Sequence, residues 1–442
     1  MTRPLRIELT EWSRKNANER ESQLAGRFLE DSKARDLAGK LSTAGMLEIT
    51  ELREGLSIAS TSYVGRITLG DLQITILPKI HGAPLVNLLR YAYGLRDLHI
   101  DALATFESEE QSFQDILIYQ LIAEANELVA RGLHRRYTRT DEALASPRGR
   151  IDLQRIAQQG GVVQATIPCT YYPRLEDCLL NQVLLQGLKL AAHITNDSNL
   201  RVQLYRLISF LQESVSHIRL DNYVLKRLYR EMSRLTIAYR PAITIIELLL
   251  ASEGVSLVED QQRIQLPGFL FNMNLFFQAL LSRFLREHLI DYEVRDQYKI
   301  NDMMLYDPIH NPRKRPDPTL RPDYVIMQQA KVVSILDAKY RDLWENSLPA
   351  HMLYQLAIYA LSQLEGVEAT ILYPTMQVEA KEAKIILRDP VYGTERAYVV
   401  LRPVNLLHLE QLVTGAKTRK NERSCADFAR QMALGVPLPT PS

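Results

Sequence analysis

The period of apolar and polar positions changes along the chain, and each change marks a change of element. Tyr63-Val64-Gly65-Arg66-Ile67-Thr68-Leu69 and Leu72-Gln73-Ile74-Thr75-Ile76-Leu77 alternate with period two on either side of Gly70-Asp71, the pattern of a β-hairpin. Residues 5–9 and the stretch from Gly55 also read as strands, residues 20–42 read as helix, and Pro78 ends the second hairpin strand by removing a ladder donor. From about Ser108 to Leu250 apolar residues recur three and four apart, in 113–133, 178–194, 204–218 and 245–250. That predicts a mostly helical segment, interrupted by turns at Ser146-Pro147-Arg148-Gly149-Arg150 and Gly160-Gly161. Beyond it the pattern predicts an amphipathic helix over 274–289, strands at 324–327 and 332–336 joined by Gln328-Gln329-Ala330-Lys331, and a helix over 349–365. Apolar runs at 369–373 and 383–387 read as further strands of the same sheet, and the chain after Leu406 reads as a helical appendage.

The expected fold class is therefore multidomain α/β. Its parts are a mixed, β-rich domain over 1–105, a mainly helical linking domain over 106–260, an α/β domain over 261–410 and a helical tail over 411–442. A length of 442 residues supports that division, since single cores stop growing at roughly 250 to 300.

Composition excludes more than it assigns. Apolar residues are 46% and charged residues 24%, which fits ordinary folded protein and not a disordered or fibrous chain. Lys and Arg number 53 against 52 Asp and Glu, a net charge of +1, so attraction to nucleic acid has to come from local clusters. Three such clusters stand out: Arg131 to Arg136, Lys226 to Arg230, and Arg313-Lys314-Arg315. The first two read as solvated helix faces and the third as a candidate DNA-contacting loop. Cys169, Cys178 and Cys425 form neither a metal-ligand spacing nor a paired framework, which with the absence of an apolar leader or a run of ~18 apolar residues points to the cytoplasm and no membrane. No GxxxxGK[ST] or GxGxxG occurs, so this chain is expected to bind no nucleotide of its own.

The chemistry gathers late in the chain, at Arg321-Pro322-Asp323 and Asp337-Ala338-Lys339. Metal-assisted phosphodiester hydrolysis needs carboxylates to hold a divalent cation and a nearby cation to orient water and offset developing charge. Period two puts Asp337 and Lys339 on one face of their strand. A hairpin turning near residue 329 sets Asp323 opposite Ile335, on that same face. The rival Pro316-Asp317 falls in a proline-rich stretch unsuited to a ladder. Alone, an Asp-x-Lys describes a surface charge pair. The apolar strand Val332-Val333-Ser334-Ile335-Leu336, which delivers the carboxylate to a sheet edge, favours the catalytic reading. On the next helix Gln355 and Tyr359 stand four apart and share a face.

The Gln-x-x-x-Tyr spacing resembles the RecB-type branch of the PD-(D/E)xK nucleases. Over nearly its whole length the chain resembles the McrC family, the endonuclease subunits of McrBC-type 5-methylcytosine-dependent restriction systems. The resemblance rests on Glu11-Trp12, Val64-Gly65-Arg66-Ile67, Leu77-Pro78-Lys79-Ile80 and Leu85-Val86-Asn87-Leu88-Leu89-Arg90-Tyr91-Ala92 in the amino-terminal part. It continues through Pro147-Arg148-Gly149-Arg150-Ile151-Asp152, Glu176-Asp177-Cys178-Leu179-Leu180-Asn181 and Phe269-Leu270-Phe271-Asn272-Met273-Asn274 to the Arg-Pro-Asp, Asp-Ala-Lys-Tyr and Tyr354-Gln355-Leu356 strings. It implies a PD-(D/E)xK α/β domain, Mg²⁺ or Mn²⁺ held by Asp323, Asp337 and the Ala338 carbonyl, and a water positioned by Lys339, with Gln355 and Tyr359 on the DNA-facing rim. It also implies double-stranded, modified DNA as substrate and docking of the amino-terminal region onto an McrB-like AAA+ GTPase hexamer, whose activity it stimulates. Where this family's first nuclease helix offers an acid, this chain has Gln278, with Glu287 further along. Two other readings stay open: a catalytically degenerate adaptor that activates an NTPase ring and binds DNA without cutting, and a stand-alone repair nuclease.

Overall fold

The hairpin predicted by alternation is the seed of the amino-terminal sheet. In the computed structural model, which describes residues 5–19, 22–95, 113–158, 165–256, 263–265, 268–300, 303–307, 309–329, 331–362 and 368–435, Leu5–Thr10 (β1) runs parallel to Leu72–Leu77 (β3). Tyr63–Leu69 (β2) pairs antiparallel with β3, its Leu69 opposite Leu72, and Gly70 turns the chain with φ 61°, where a side chain is disfavoured. A fourth strand, Gly268–Asn272 (β4), completes the order β1-β3-β2-β4. A second, three-stranded sheet joins Arg14–Asn16, Gly55–Ser60 and Leu47–Leu52. The helix expected over 20–42 is shorter, Ser32–Thr43, because Asp31 caps it by accepting from Lys33 N, and Ala25 upstream makes an isolated β-bridge to Gly55 between turn residues. Gly160-Gly161, Ala330 and the end of the helix expected to reach Glu365 lie outside the described residues.

Compactness divides the chain into two units, one made of residues 1–109 and 270–442, the other of 110–269. In the first unit Gly82–Tyr93 (α1) packs on Met273–His288 (α2). Asn272 caps α2 by accepting from Asn274 N and Leu275 N. The helix then buries Met273, Phe276, Phe277, Leu280, Leu281, Phe284 and Leu285, the three-and-four spacing of a core-facing stripe. Each such side chain contributes about 1.5–3 kcal/mol on burial, which is what holds the helix against its sheet.

That sheet has six strands: Glu293–Asp296 (β5), Tyr324–Gln328 (β6), Lys331–Ala338 (β7), Glu368–Thr375 (β8), Ala383–Arg388 (β9) and Glu395–Asn405 (β10), ordered β5-β6-β7-β8-β10-β9. β7 and β8 are parallel, with the helix Ala350–Leu361 (α3) as their crossover. β8 is parallel to β10 as well, and its almost unbroken burial is that of a strand covered on both faces. On the α3 face Val325, Met327, Ile335, Ile371, Tyr373 and Val399 meet Leu356, Tyr359 and Ala360 in one apolar cluster. The helices Leu406–Thr414 (α4) and Arg419–Leu434 (α5) close the unit, and α5 packs against α2. The longest strand among the described residues, β10, has no clear period in the sequence and lies between β8 and β9.

The second unit is built on the helices Phe113–Ala130, Leu179–Ile194, Ser198–Gln212, Asn222–Glu231 and Arg240–Glu253. It also carries a small sheet of Thr140–Leu144, Ile167–Tyr171 and Arg150–Ile151, which the helical expectation did not include. Among the described residues no helix is long and apolar enough to cross a membrane.

Candidate active site

Three polar side chains meet where β6 and β7 reach the end of their shared ladder. The observed register pairs Tyr324 with Leu336 and Val325 with Ile335, whereas even alternation set Asp323 opposite Ile335. One residue of the difference comes from an irregularity between Ile326 and Met327, and the other from the turn, where Gln328 pairs with Lys331 and Met327 with Val332. The shift is two residues, so the face is unchanged. Its effect is to move Asp323 level with Asp337.

Asp323 is locked in place. Its Oδ2 accepts from Ala338 N at 2.8 Å, its Oδ1 accepts from Gln297 Nε2 at 3.0 Å, and the Gln278 amide also bonds to it. Gln297 has a left-handed backbone, φ 49°, and its own N–H donates to the Asp323 carbonyl at 2.9 Å. Asp337 is 2% exposed, and its Oδ2 lies 2.9 Å from Lys339 Nζ. Burial pushes the Asp337 carboxyl up to about 6, with Lys339 opposing the rise and Asp323 adding to it. Burial raises Asp323 too, against Lys339 and the Ala338 N–H. For Lys339 burial acts downward, but Asp337 and Asp323 outweigh it and hold the ammonium charged. The result is a pair of desolvated carboxylates sharing one lysine.

Tyr359 stands beside this group without reaching the surface. It is 2% exposed, its hydroxyl accepts from Gln355 Nε2 at 2.8 Å, and burial raises its pKa with Asp337 adding to the effect. Only Gln355, partly exposed, can offer surface at a rim. Among the described residues no group of three or more His, Cys, Asp or Glu side chains is placed to hold a metal ion. The side-chain donors brought together are two carboxylates, hard oxygen ligands of a number that suits Mg²⁺, which keeps several waters and takes one or two carboxylates.

Residues 58–374 match the family model described as McrBC 5-methylcytosine restriction system component. The chain belongs to this family. Its fold is similar to a chain in the refined half-complex from the tetradecameric assembly of Thermococcus gammatolerans McrB AAA+ hexamers with bound McrC. The TM-score is 0.61 at 20% identity, covering 96% of this chain and 100% of that one. A chain of the cryo-EM structure of the Thermococcus gammatolerans McrBC complex matches at 21% identity and a TM-score of 0.46, covering 64% of this chain and 88% of that one. Comparison with curated proteins gives no match.

In this McrBC-family chain the remaining sequence candidates sort clearly. Asp317 accepts from Tyr306 N at 2.7 Å inside the loop before β6, away from the ladder end. Glu287 is engaged by Tyr91 Oη at 2.6 Å and Arg283 Nε at 2.7 Å. Gln278 does adjoin Asp323, as a neutral amide. Arg131, Arg135, Arg136 and Arg227 each pair with a glutamate, while Arg313, Lys314 and Arg315 are exposed. Gln297 escaped the sequence reading. A lone glutamine after a short strand carries no local signal, and its role depends on a backbone conformation that only the folded chain reveals.

Proposed function

We propose that this chain is the metal-dependent DNA-cutting subunit of a McrBC-type restriction complex, with a PD-(D/E)xK nuclease domain in its carboxy-terminal part. The observation that carries this reading is the convergence of Asp323, Asp337 and Lys339 at one strand end, with both carboxylates desolvated and the lysine charged. Asp323, Asp337 and the Ala338 carbonyl would hold Mg²⁺ or Mn²⁺, which supplies Lewis-acid polarisation of the scissile phosphate. Gln297, Gln278 and the Ala338 N–H fix the Asp323 carboxylate, so little reorganisation is left when a ligand arrives. Lys339 orients the attacking water and offsets the charge that develops on phosphate oxygens. Gln355, steadied by Tyr359, contacts the DNA backbone next to the site, and the exposed Arg313-Lys314-Arg315 loop adds phosphate contacts. An McrB-like AAA+ GTPase hexamer is the partner this reading implies, because the similar chain comes from an assembly of McrB AAA+ hexamers with bound McrC and this sequence has no phosphate loop.

In a complex reconstituted with the ring, nucleotide and methylated duplex DNA, Asp337→Ala and Lys339→Ala each lower cleavage by at least ~10³-fold while leaving ring binding intact. Full cleavage by both variants would refute the assignment. A second reading is favoured by Gln278, which places an amide where an acid would add charge: an adaptor that stimulates the ring without cutting. Metal-dependent cleavage by the wild-type complex decides between the two.

A further inference from the structure

Several strings that mark the family play no part in the proposed nuclease chemistry: Glu11-Trp12, Leu77-Pro78-Lys79-Ile80, Asn272-Met273-Asn274 and the tyrosine that follows Lys339. In the first unit they converge on that tyrosine. Tyr340 is 3% exposed, with its ring edge-on to Phe277 at 5.9 Å. Its backbone N–H donates to Asn274 Oδ1 at 2.9 Å and its carbonyl accepts from Trp12 Nε1 at 2.8 Å. Its hydroxyl donates to Glu11 Oε1 at 3.3 Å, and that same oxygen accepts from Lys79 N at 3.0 Å. Asn274 is held in turn by donating to Ser62 Oγ at 2.7 Å.

Both backbone groups of one residue are thus taken by side chains from distant elements. Strand pairing explains neither bond. On the other side Lys339 N donates to Leu372 O at 3.0 Å, so the peptide units before and after Lys339 Cα are both fixed. Trp12 has a left-handed backbone, φ 54°, a conformation that is strained for a bulky residue and persists only where its surroundings over-determine it. Here the surroundings are the Tyr340 carbonyl and the Arg341 guanidinium, which lies 5.1 Å from the Trp12 ring centre.

We propose that Glu11, Trp12 and Asn274 are positioning residues that clamp Tyr340 and thereby aim the Lys339 ammonium at Asp337. The amino-terminal segment then supplies part of the active-site geometry besides any docking role. The inference rests on the nuclease reading for the meaning of Lys339, and on the three hydrogen bonds to Tyr340 for the clamp itself.

The test uses the full chain with its ring. Trp12→Phe keeps an aromatic ring and loses the indole donor. Asn274→Ala loses the acceptor, and Asn274→Asp restores it at a helix start that favours an acid. The first two variants should lower the single-turnover cleavage rate roughly 10- to 100-fold, the scale of an ångström-sized misplacement, with DNA affinity and ring hydrolysis within about twofold of wild type. Asn274→Asp should recover most of the rate. Hydrogen exchange on the metal-free chain should speed up selectively in the peptide spanning 338–341 in Trp12→Phe and Asn274→Ala. Folded variants that cut at the wild-type rate and exchange normally would overturn the clamp. If Trp12→Phe does not fold, the Asn274 pair decides alone, with equal rates for Ala and Asp counting against the proposal. Asp337→Ala, run alongside, separates the two ideas: its continued cleavage would remove the nuclease reading, while the exchange result would still stand or fall on its own.

Discussion

Glu11 is a carboxyl with almost no water. It is 1% exposed, one oxygen is shared between Lys79 N and Tyr340 Oη, and the other is buried with no hydrogen-bond partner among the described residues. Burial raises its pKa to about 7 from 4.5, against the opposing pulls of the Lys79 N–H, Tyr340 and the Lys79 ammonium. The folded chain therefore binds this proton more tightly than the unfolded one. Its contribution to stability is complete below pH 4.5 and is lost as pH rises towards about 7, a difference of about 3 kcal/mol. Glu11→Gln should remove that slope, so denaturant titrations at pH 5 and pH 8 should differ less in the variant than in wild type. Gln297 makes a second residue-level case. Gln297→Ala frees Asp323 Oδ1 and should raise the Mg²⁺ concentration for half-maximal cleavage about 10-fold, in the range of lost outer-shell partners. An unchanged Mg²⁺ curve would mean the amide is idle. Asp323, Asp337 and Lys339 were legible because strand parity is a local property, which survives a two-residue shift in register. Gln297 and Tyr340 were not, because each works through bonds to elements distant in sequence.

Elements were legible where a clear period or an unbroken apolar run marks them, and obscure where polar residues interrupt both. The hairpin of β2 and β3 and the stripe on α2 match their periods because only one side meets a core. β10 lies between β8 and β9 and mixes apolar residues with Arg396, Arg402 and Pro403, so neither period dominates its sequence. Arg402 is buried, where it donates to Glu382 Oε2 and to Met432 O, and partners of that kind leave no mark in a local window. In the second unit the helix Leu179–Ile194 crosses Arg240–Glu253 at Gly187, where an added Cβ would lie 2.3 Å from Ile246. Gly187→Val should destabilise that unit by roughly 1–3 kcal/mol through overpacking. Adding Ile246→Ala should recover a large part of the loss, and two independent, additive losses in thermal melts would show that the crossing does not depend on this contact.

The whole molecule interleaves its units along the chain. Residues 110–269 are continuous, whereas the first unit needs both 1–109 and 270–442. Chain order reads as four successive parts, and periodicity cannot report which distant segments share a unit, here residues 1–109 with 270–442. The bond from Trp12 Nε1 to the Tyr340 carbonyl spans 328 residues. At 5–20 residues per second, roughly 15 to 65 seconds of synthesis separate its two ends. During that interval Trp12 has neither the Tyr340 carbonyl to bond nor a lysine to help aim. On stalled ribosomes the continuous unit should gain protease resistance first, and the amino-terminal segment, although made earliest, should gain it last. If the chain cuts DNA as proposed, this arrangement keeps it harmless until it is almost finished, because residues made early are among the last to find their place.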